Sequence, residues 1–174
     1  MSLWQAILSY FRPQTSGKEA ASPRILRGDG SWPFAARIDG EDIVVENVMA
    51  TAFGGANDPQ DNGETASGIN TKHFPFYEGC ALPMITPSVP VLRGSPIPKM
   101  PFKTTMVAVT YKDKTITVPI IDIGPGRQAS REGYPAHAID LTVAAAKRFV
   151  PTASATNFSI IVSYRIIGGA KYAV

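Results

Sequence analysis

Proline is the tightest constraint on what this chain can build. Fifteen prolines, together with fifteen glycines, are spread over 174 residues, and each proline fixes φ and removes a backbone donor. Long helical repeats are excluded, so loops and turns must take a large share of the chain. The densest run is 83–101, where prolines at 83, 87, 90, 96, 98 and 101 permit only short extended pieces.

Between these breaks the apolar residues alternate in twos, as strands do. Phe158, Ile160, Val162, Tyr164 and Ile166 alternate with their neighbours and predict a final strand. Thr105–Tyr111 and Thr115–Asp122, joined by Lys112, Asp113 and Lys114, predict a hairpin. Ile116, Val118 and Ile120 share one face of the second run, and alternation extends that face to Asp122. Pro119 within the same run implies an edge or a crossing point. Ile43–Phe53 predicts a further strand closed by Gly54 and Gly55, followed by a polar loop over 56–72. Leu141, Ala144, Ala145 and Phe149 fall at helical spacing and predict one short helix. Residues 1–33, rich in Ser, Gly, Pro and Lys after Pro13, predict an N-terminal tail or linker, and 34–174 a single domain. The fold class expected is mainly β: a small six-stranded barrel with one or two short helices, since closure removes exposed strand edges.

Composition narrows the function. With 44% hydrophobic and 18% charged residues the chain is globular rather than disordered. A net charge of +3, without a basic run interleaved with aromatics, predicts no nucleic-acid partner. The single cysteine, Cys80, excludes an intramolecular disulfide and reads as a small buried hydrophobe. Two histidines, His73 and His137, leave little for a metal centre, so neither metal nor cofactor is expected. The apolar opening stretch, 1–13, has no basic n-region and is far too short to span a bilayer.

Three segments resemble the double-psi β-barrel families. The first is Ala50-Thr51-Ala52-Phe53-Gly54-Gly55, followed by 61–68; the second is Ala81-Leu82-Pro83. The third runs from Val118 through Asp122-Ile123-Gly124-Pro125-Gly126 to Ala138-Ile139-Asp140-Leu141-Thr142 and the small residues 143–146. This order, over residues 44–167, is similar to the rare lipoprotein A barrels and, more loosely, to expansins, small endoglucanases and the barrel of membrane-bound lytic transglycosylase A. The resemblance implies a double-psi barrel with a glycan groove across it. It implies that Asp140 is a general acid, with Asp122 beside it and Thr51 hydrogen-bonded nearby. It also implies a polysaccharide partner, peptidoglycan above all, and a protein of the cell envelope or secreted. Two positions depart from the pattern: Gly79 stands where rare lipoprotein A barrels place a histidine, and Gly55 where small endoglucanases carry a base aspartate.

Chemistry fits that reading. Cleaving a glycosidic bond needs a carboxyl group that delivers a proton, and neighbouring aspartates can keep one protonated. A hydrolase needs a second carboxylate as base, whereas a lytic enzyme closes the ring with a sugar hydroxyl. Each candidate has a plainer alternative. Asp140 could cap the helix that follows, although Thr142 could do so instead. Asp122 could brace the Gly124-Pro125 turn. His137 and Asp58, the remaining candidate substrate contacts, could be ordinary loop residues. Phe74, Phe76 and Tyr77 read as core or loop packing, with sugar stacking as the alternative. Three functions follow: lytic or hydrolytic cleavage of cell-wall glycan, a non-catalytic expansin-like binding module, or a structural barrel.

Overall fold

The structure, a computed structural model, describes residues 23–59, 61–128 and 133–173. Eight strands follow in chain order: β1 (Ile25–Leu26), β2 (Ala36–Asp39), β3 (Asp42–Phe53), β4 (Cys80–Leu82), β5 (Met106–Tyr111), β6 (Lys114–Ile123), β7 (His137–Thr142) and β8 (Ser159–Ile166). Helix α1 (Val143–Lys147) and two short 3-10 turns complete the regular structure.

The strands pair in the order β1-β2-β3-β7-β4-β6-β5-β8, and β8 returns to β3. Strands β3, β7, β4, β6, β5 and β8 thus form the expected closed six-stranded barrel, with β1 and β2 as an antiparallel flap on β3. The barrel is mixed. β3 runs parallel to β7 and β4 parallel to β6, while the other contacts are antiparallel.

Alternation fills the interior. Val107 and Val109 of β5, Ile116, Val118 and Ile120 of β6, and Val162, Tyr164 and Ile166 of β8 are all buried in one core. The hairpin is tighter than expected: Tyr111 pairs with Lys114, leaving a two-residue turn with Lys112 in the left-handed region at φ 54°. Pro119 sits where β6 changes neighbours, pairing Met106 of β5 while the next residue, Ile120, pairs Cys80 of β4. It is a crossing point, which a residue without an N–H tolerates.

One expectation is corrected. The helix is shorter than its spacing implied, because Leu141 belongs to β7 and Thr142 is the N-cap, its side chain accepting from Ala145 N. The last part of the segment read as a tail or linker is paired and packed. Residues 1–22 lie outside the described residues, but Ile25 and Leu26 pair with Arg37 and Ala36. Trp32 is buried at 6% exposure, donates its indole N–H to Arg93 O at 3.1 Å and meets Phe34 edge to face. A single tryptophan gives no periodicity, so its anchoring role was invisible to pattern reading.

Trp32→Ala therefore tests whether this segment belongs to the fold. Emptying a buried indole site costs about 3 kcal/mol or more, which denaturant unfolding should show as a lower midpoint with an unchanged slope. A variant as stable as the parent would return 25–33 to the status of a linker.

Candidate functional site

The site is built where strand alternation is interrupted. Between Met49 and Ala50 of β3 the register with β7 shifts: Met49 pairs His137, Ala50 pairs Ile139, and Ala138 is the extra residue of a bulge. Residues three apart in a regular strand face opposite sides. The bulge brings His137 and Asp140 to the same side. A second bulge lies on β6, where Cys80 pairs Ile120, Ala81 pairs Asp122, and Ile121 is extra. Asp122 therefore does not continue the core face of Ile116, Val118 and Ile120, as alternation implied. It is turned out beside Ala81, which pairs Asp140 on its other side.

Thr51, Asp140, Ala81 and Asp122 thus stand in one row across β3, β7, β4 and β6. Their neighbours in sequence, Ala50, Ala52, Ile139, Leu141, Cys80 and Leu82, fill the core, so the row faces outward. Asp122 and Asp140 are two strand spacings apart, roughly 10 Å between Cα atoms.

Asp140 Oδ1 is the hub. It accepts from the Thr51 hydroxyl and from His137 Nε2 at 2.7 Å. The Gln128 amide lies 3.0 Å from His137 Nδ1. With that amide donating, Nε2 carries the ring proton. Thr51 Oγ1 also lies 3.0 Å from the same Nε2. One nitrogen faces both oxygens, so this is not a nucleophile–base relay, which needs the two ring nitrogens on different partners. The side chains of His137 and Asp140 are 9% and 18% exposed, leaving part of the carboxyl group reachable. Oδ2 is turned toward Gly124, where a Cβ would stand 3.9 Å away. Asp140 caps no helix, since Thr142 does.

Asp122 is held differently. Its Oδ1 accepts from the backbone N–H groups of Ala66 and Ile123, both at 2.9 Å. Together with Ser67 N donating to Ile121 O, this ties the 61–68 loop to β6. The carboxyl group sits above its ordinary pKa, mainly through burial. The two N–H donors oppose that rise, and the charges of Asp61 and Asp140 add to it.

The remaining expected site residue lies elsewhere. Asp58 is buried at 7% exposure, accepts from Gly54 N at 2.8 Å and lines a cavity beside α1. It supports the turn after β3 rather than joining Asp140. Gly79, the departure from the rare lipoprotein A pattern, is explained by packing: a Cβ there would fall 2.8 Å from Ile121 Cδ1. Cys80 is buried in the core, and burial, with the Asp140 charge adding, pushes its thiol far up and leaves it unreactive. Sequence reading missed Gln128, which no motif marks, and Tyr164. The Tyr164 hydroxyl donates to the carbonyl of the bulge residue Ala138 at 3.2 Å from inside the core. Phe74 and Phe76, expected to pack, are 60% and 90% exposed.

Two outcomes follow. Because the native Asp122 carboxyl binds its proton more tightly than the unfolded one, its contribution to stability is present at low pH. That contribution is lost as pH rises from the ordinary carboxylate value through the raised one. Asp122→Asn keeps an oxygen for Ala66 N and Ile123 N without the buried charge. Its melting temperature should equal or exceed the parent's by up to a few degrees at pH 7, with the advantage shrinking toward pH 3; a variant less stable at pH 7 than at pH 3, relative to parent, contradicts this. Tyr164→Phe strands the Ala138 carbonyl at a cost of about 1–2 kcal/mol. It should also shift the His137 ring signals in NMR, whereas unmoved signals would mean the bulge holds itself.

No family model matches the chain, and no curated protein matches it. Among solved structures the chain is similar to the Streptomyces papain inhibitor, at 22% identity and a TM-score of 0.42, over 74% of this chain and 96% of that one. A likeness at that level carries no argument about activity. Among the described residues, no helix is long and apolar enough to cross a membrane, and no three His, Cys, Asp or Glu side chains are grouped to hold a metal ion.

Proposed function

We propose that this barrel acts on a polysaccharide, with bacterial cell-wall glycan (peptidoglycan) as the class, and that Asp140 is the general acid of a lytic transglycosylase-like cleavage. The observation that supports the reading is the way Asp140 is held. Thr51 and His137 occupy Oδ1 and fix the carboxyl plane, which leaves Oδ2 as the oxygen for a transferable proton. In this scheme Oδ2–H protonates the glycosidic oxygen as the C–O bond breaks. A hydroxyl of the same sugar then attacks the anomeric carbon, and its proton returns to the Asp140 carboxylate. Atoms balance without water, and one carboxyl group serves both halves. The segment order belongs to the same proposal, which places the chain with the rare lipoprotein A and expansin-like barrels in the cell envelope or among secreted proteins.

A second reading has its own observation. Asp122 is tied to two backbone N–H groups, so among the described residues the carboxylate nearest Asp140 along the row is engaged in holding a loop rather than positioned as a base. An expansin-like module that binds glycan without turnover would need none.

Digestion of purified peptidoglycan separates the two. Asp140→Asn keeps an acceptor for Thr51 and His137, so it should fold like the parent and still bind insoluble peptidoglycan. Release of anhydro-sugar products should fall by about two orders of magnitude or more, the usual contribution of a positioned acid. Unchanged release by the folded variant would remove Asp140 from the chemistry. Binding by the parent without any product would select the non-catalytic module.

A further inference from the structure

Phe76 is 90% exposed and forms part of the rim of a cavity of about 380 Å³. Scattered surface hydrophobes are ordinary, but a ring this exposed stabilises little by staying in water. The cavity has two chemical characters. Phe76, Val143 and Ala153 give it an apolar wall, and Asn57, Lys147 and Thr156 give it hydrogen-bonding edges. Its size is within the range that holds one small ligand.

Its place in the barrel relates it to the acids. Thr51 of β3 and Asp140 of β7 are paired on parallel strands. The cavity is lined by Gly54 and Gly55, which follow β3, and by Val143, which follows β7. Three residues of strand separate it from the Thr51–Asp140 pair, roughly 10 Å along the strand direction. A chain polymer lying across Asp140 in that direction reaches the cavity with its next units.

We infer that this cavity is a subsite for an acidic sugar of the same glycan, with Phe76 stacking on a ring face and Lys147 pairing with a carboxylate on that sugar. The inference rests on the glycan reading above and adds the subsite and its charge preference. A sugar ring offers C–H faces and hydroxyl edges. Its faces suit the electron-rich face of a phenyl ring, and its edges suit Asn57 and Thr156. Lys147 supplies the charge preference: among the described residues no salt bridge engages it, whereas its neighbour Arg148 is paired with Glu78. Asp58 lines the same cavity, but its Oδ2 accepts from Gly54 N, so its charge is partly satisfied within the turn.

Binding of the full chain to two probes tests the subsite. One probe is glycan strands stripped of their stem peptides, which leaves the sugar carboxylates free; the other is a neutral chitin tetrasaccharide. Phe76→Ala should fold normally and bind both about tenfold more weakly, the scale of one lost aromatic contact. Lys147→Gln should weaken binding of the acidic strands and leave the neutral oligomer unchanged. Asp140→Asn should bind both as the parent does while losing cleavage. If the parent binds or cleaves glycan and Phe76→Ala binds as tightly as the parent, the subsite is wrong and the glycan reading stands. If Lys147→Gln weakens both probes equally, the acidic-sugar preference is wrong. A parent that neither binds nor cleaves any glycan overturns both.

Discussion

Strand alternation decides which side chains can do chemistry in a barrel of this size. Six strands enclose a space that side chains fill completely, and here the core is Ile, Val, Leu, Ala and Met with Cys80, Phe158 and one tyrosine, Tyr164. Polar groups must therefore be turned out, and strict alternation would turn out the wrong ones. It would send Asp122 inward after Ile116, Val118 and Ile120, and set His137 on the face opposite Asp140. Two extra residues, Ala138 and Ile121, reverse both outcomes. Each bulge is secured by a contact that a slipped register would lose. Tyr164 donates from the core to the Ala138 carbonyl. Ile121 is fully buried in the space that Gly79 leaves by having no side chain.

The same constraint explains the loops. Turning Asp122 outward places its carboxyl group where Ala66 N and Ser67 N can reach β6. The polar stretch after β3 is then ordered by its own short-range bonds. Asp61 accepts from Gly63 N, Asn62 from Glu64 N, and Asn70 from Lys72 N and His73 N. These are the local turns for which Asp and Asn side chains are suited. A segment without regular structure thereby covers one flank of the site and leads directly into the exposed Phe74 and Phe76.

Long periodic elements were legible in the sequence and short or interrupted ones were not. The hairpin, the strand ending at Phe53 and the final strand are the longest β-rich runs, and each is present within a residue or two. β4 has only Cys80, Ala81 and Leu82, all buried, and three residues carry no period. β7 was hidden for another reason. Leu141, Ala144 and Ala145 fall at helical spacing, but Leu141 lies within β7, whose neighbours on both sides are distant in sequence. Tertiary pairing overrode the local pattern there. Asp122 and Asp140 could be nominated from motif and chemistry, and register brings them to either side of Ala81. The sequence carries no mark of the bulges that aim them, because a bulge residue such as Ala138 or Ile121 looks like any other strand residue.

The two aspartates are unequal for a reason that alternation alone does not supply. Among the described residues Asp122 is hydrogen-bonded to main-chain donors, Ala66 N and Ile123 N, which move only if the loop or the strand moves. Asp140 is bonded to side chains, Thr51 and His137, and His137 is itself oriented by Gln128. Two side-chain partners on one oxygen fix the plane of the Asp140 carboxyl group and leave its Oδ2 turned toward Gly124. Main-chain partners specify one arrangement. On this ground Asp122 is suited to hold the loop, while Asp140 keeps one carboxyl oxygen outside its own hydrogen-bond network.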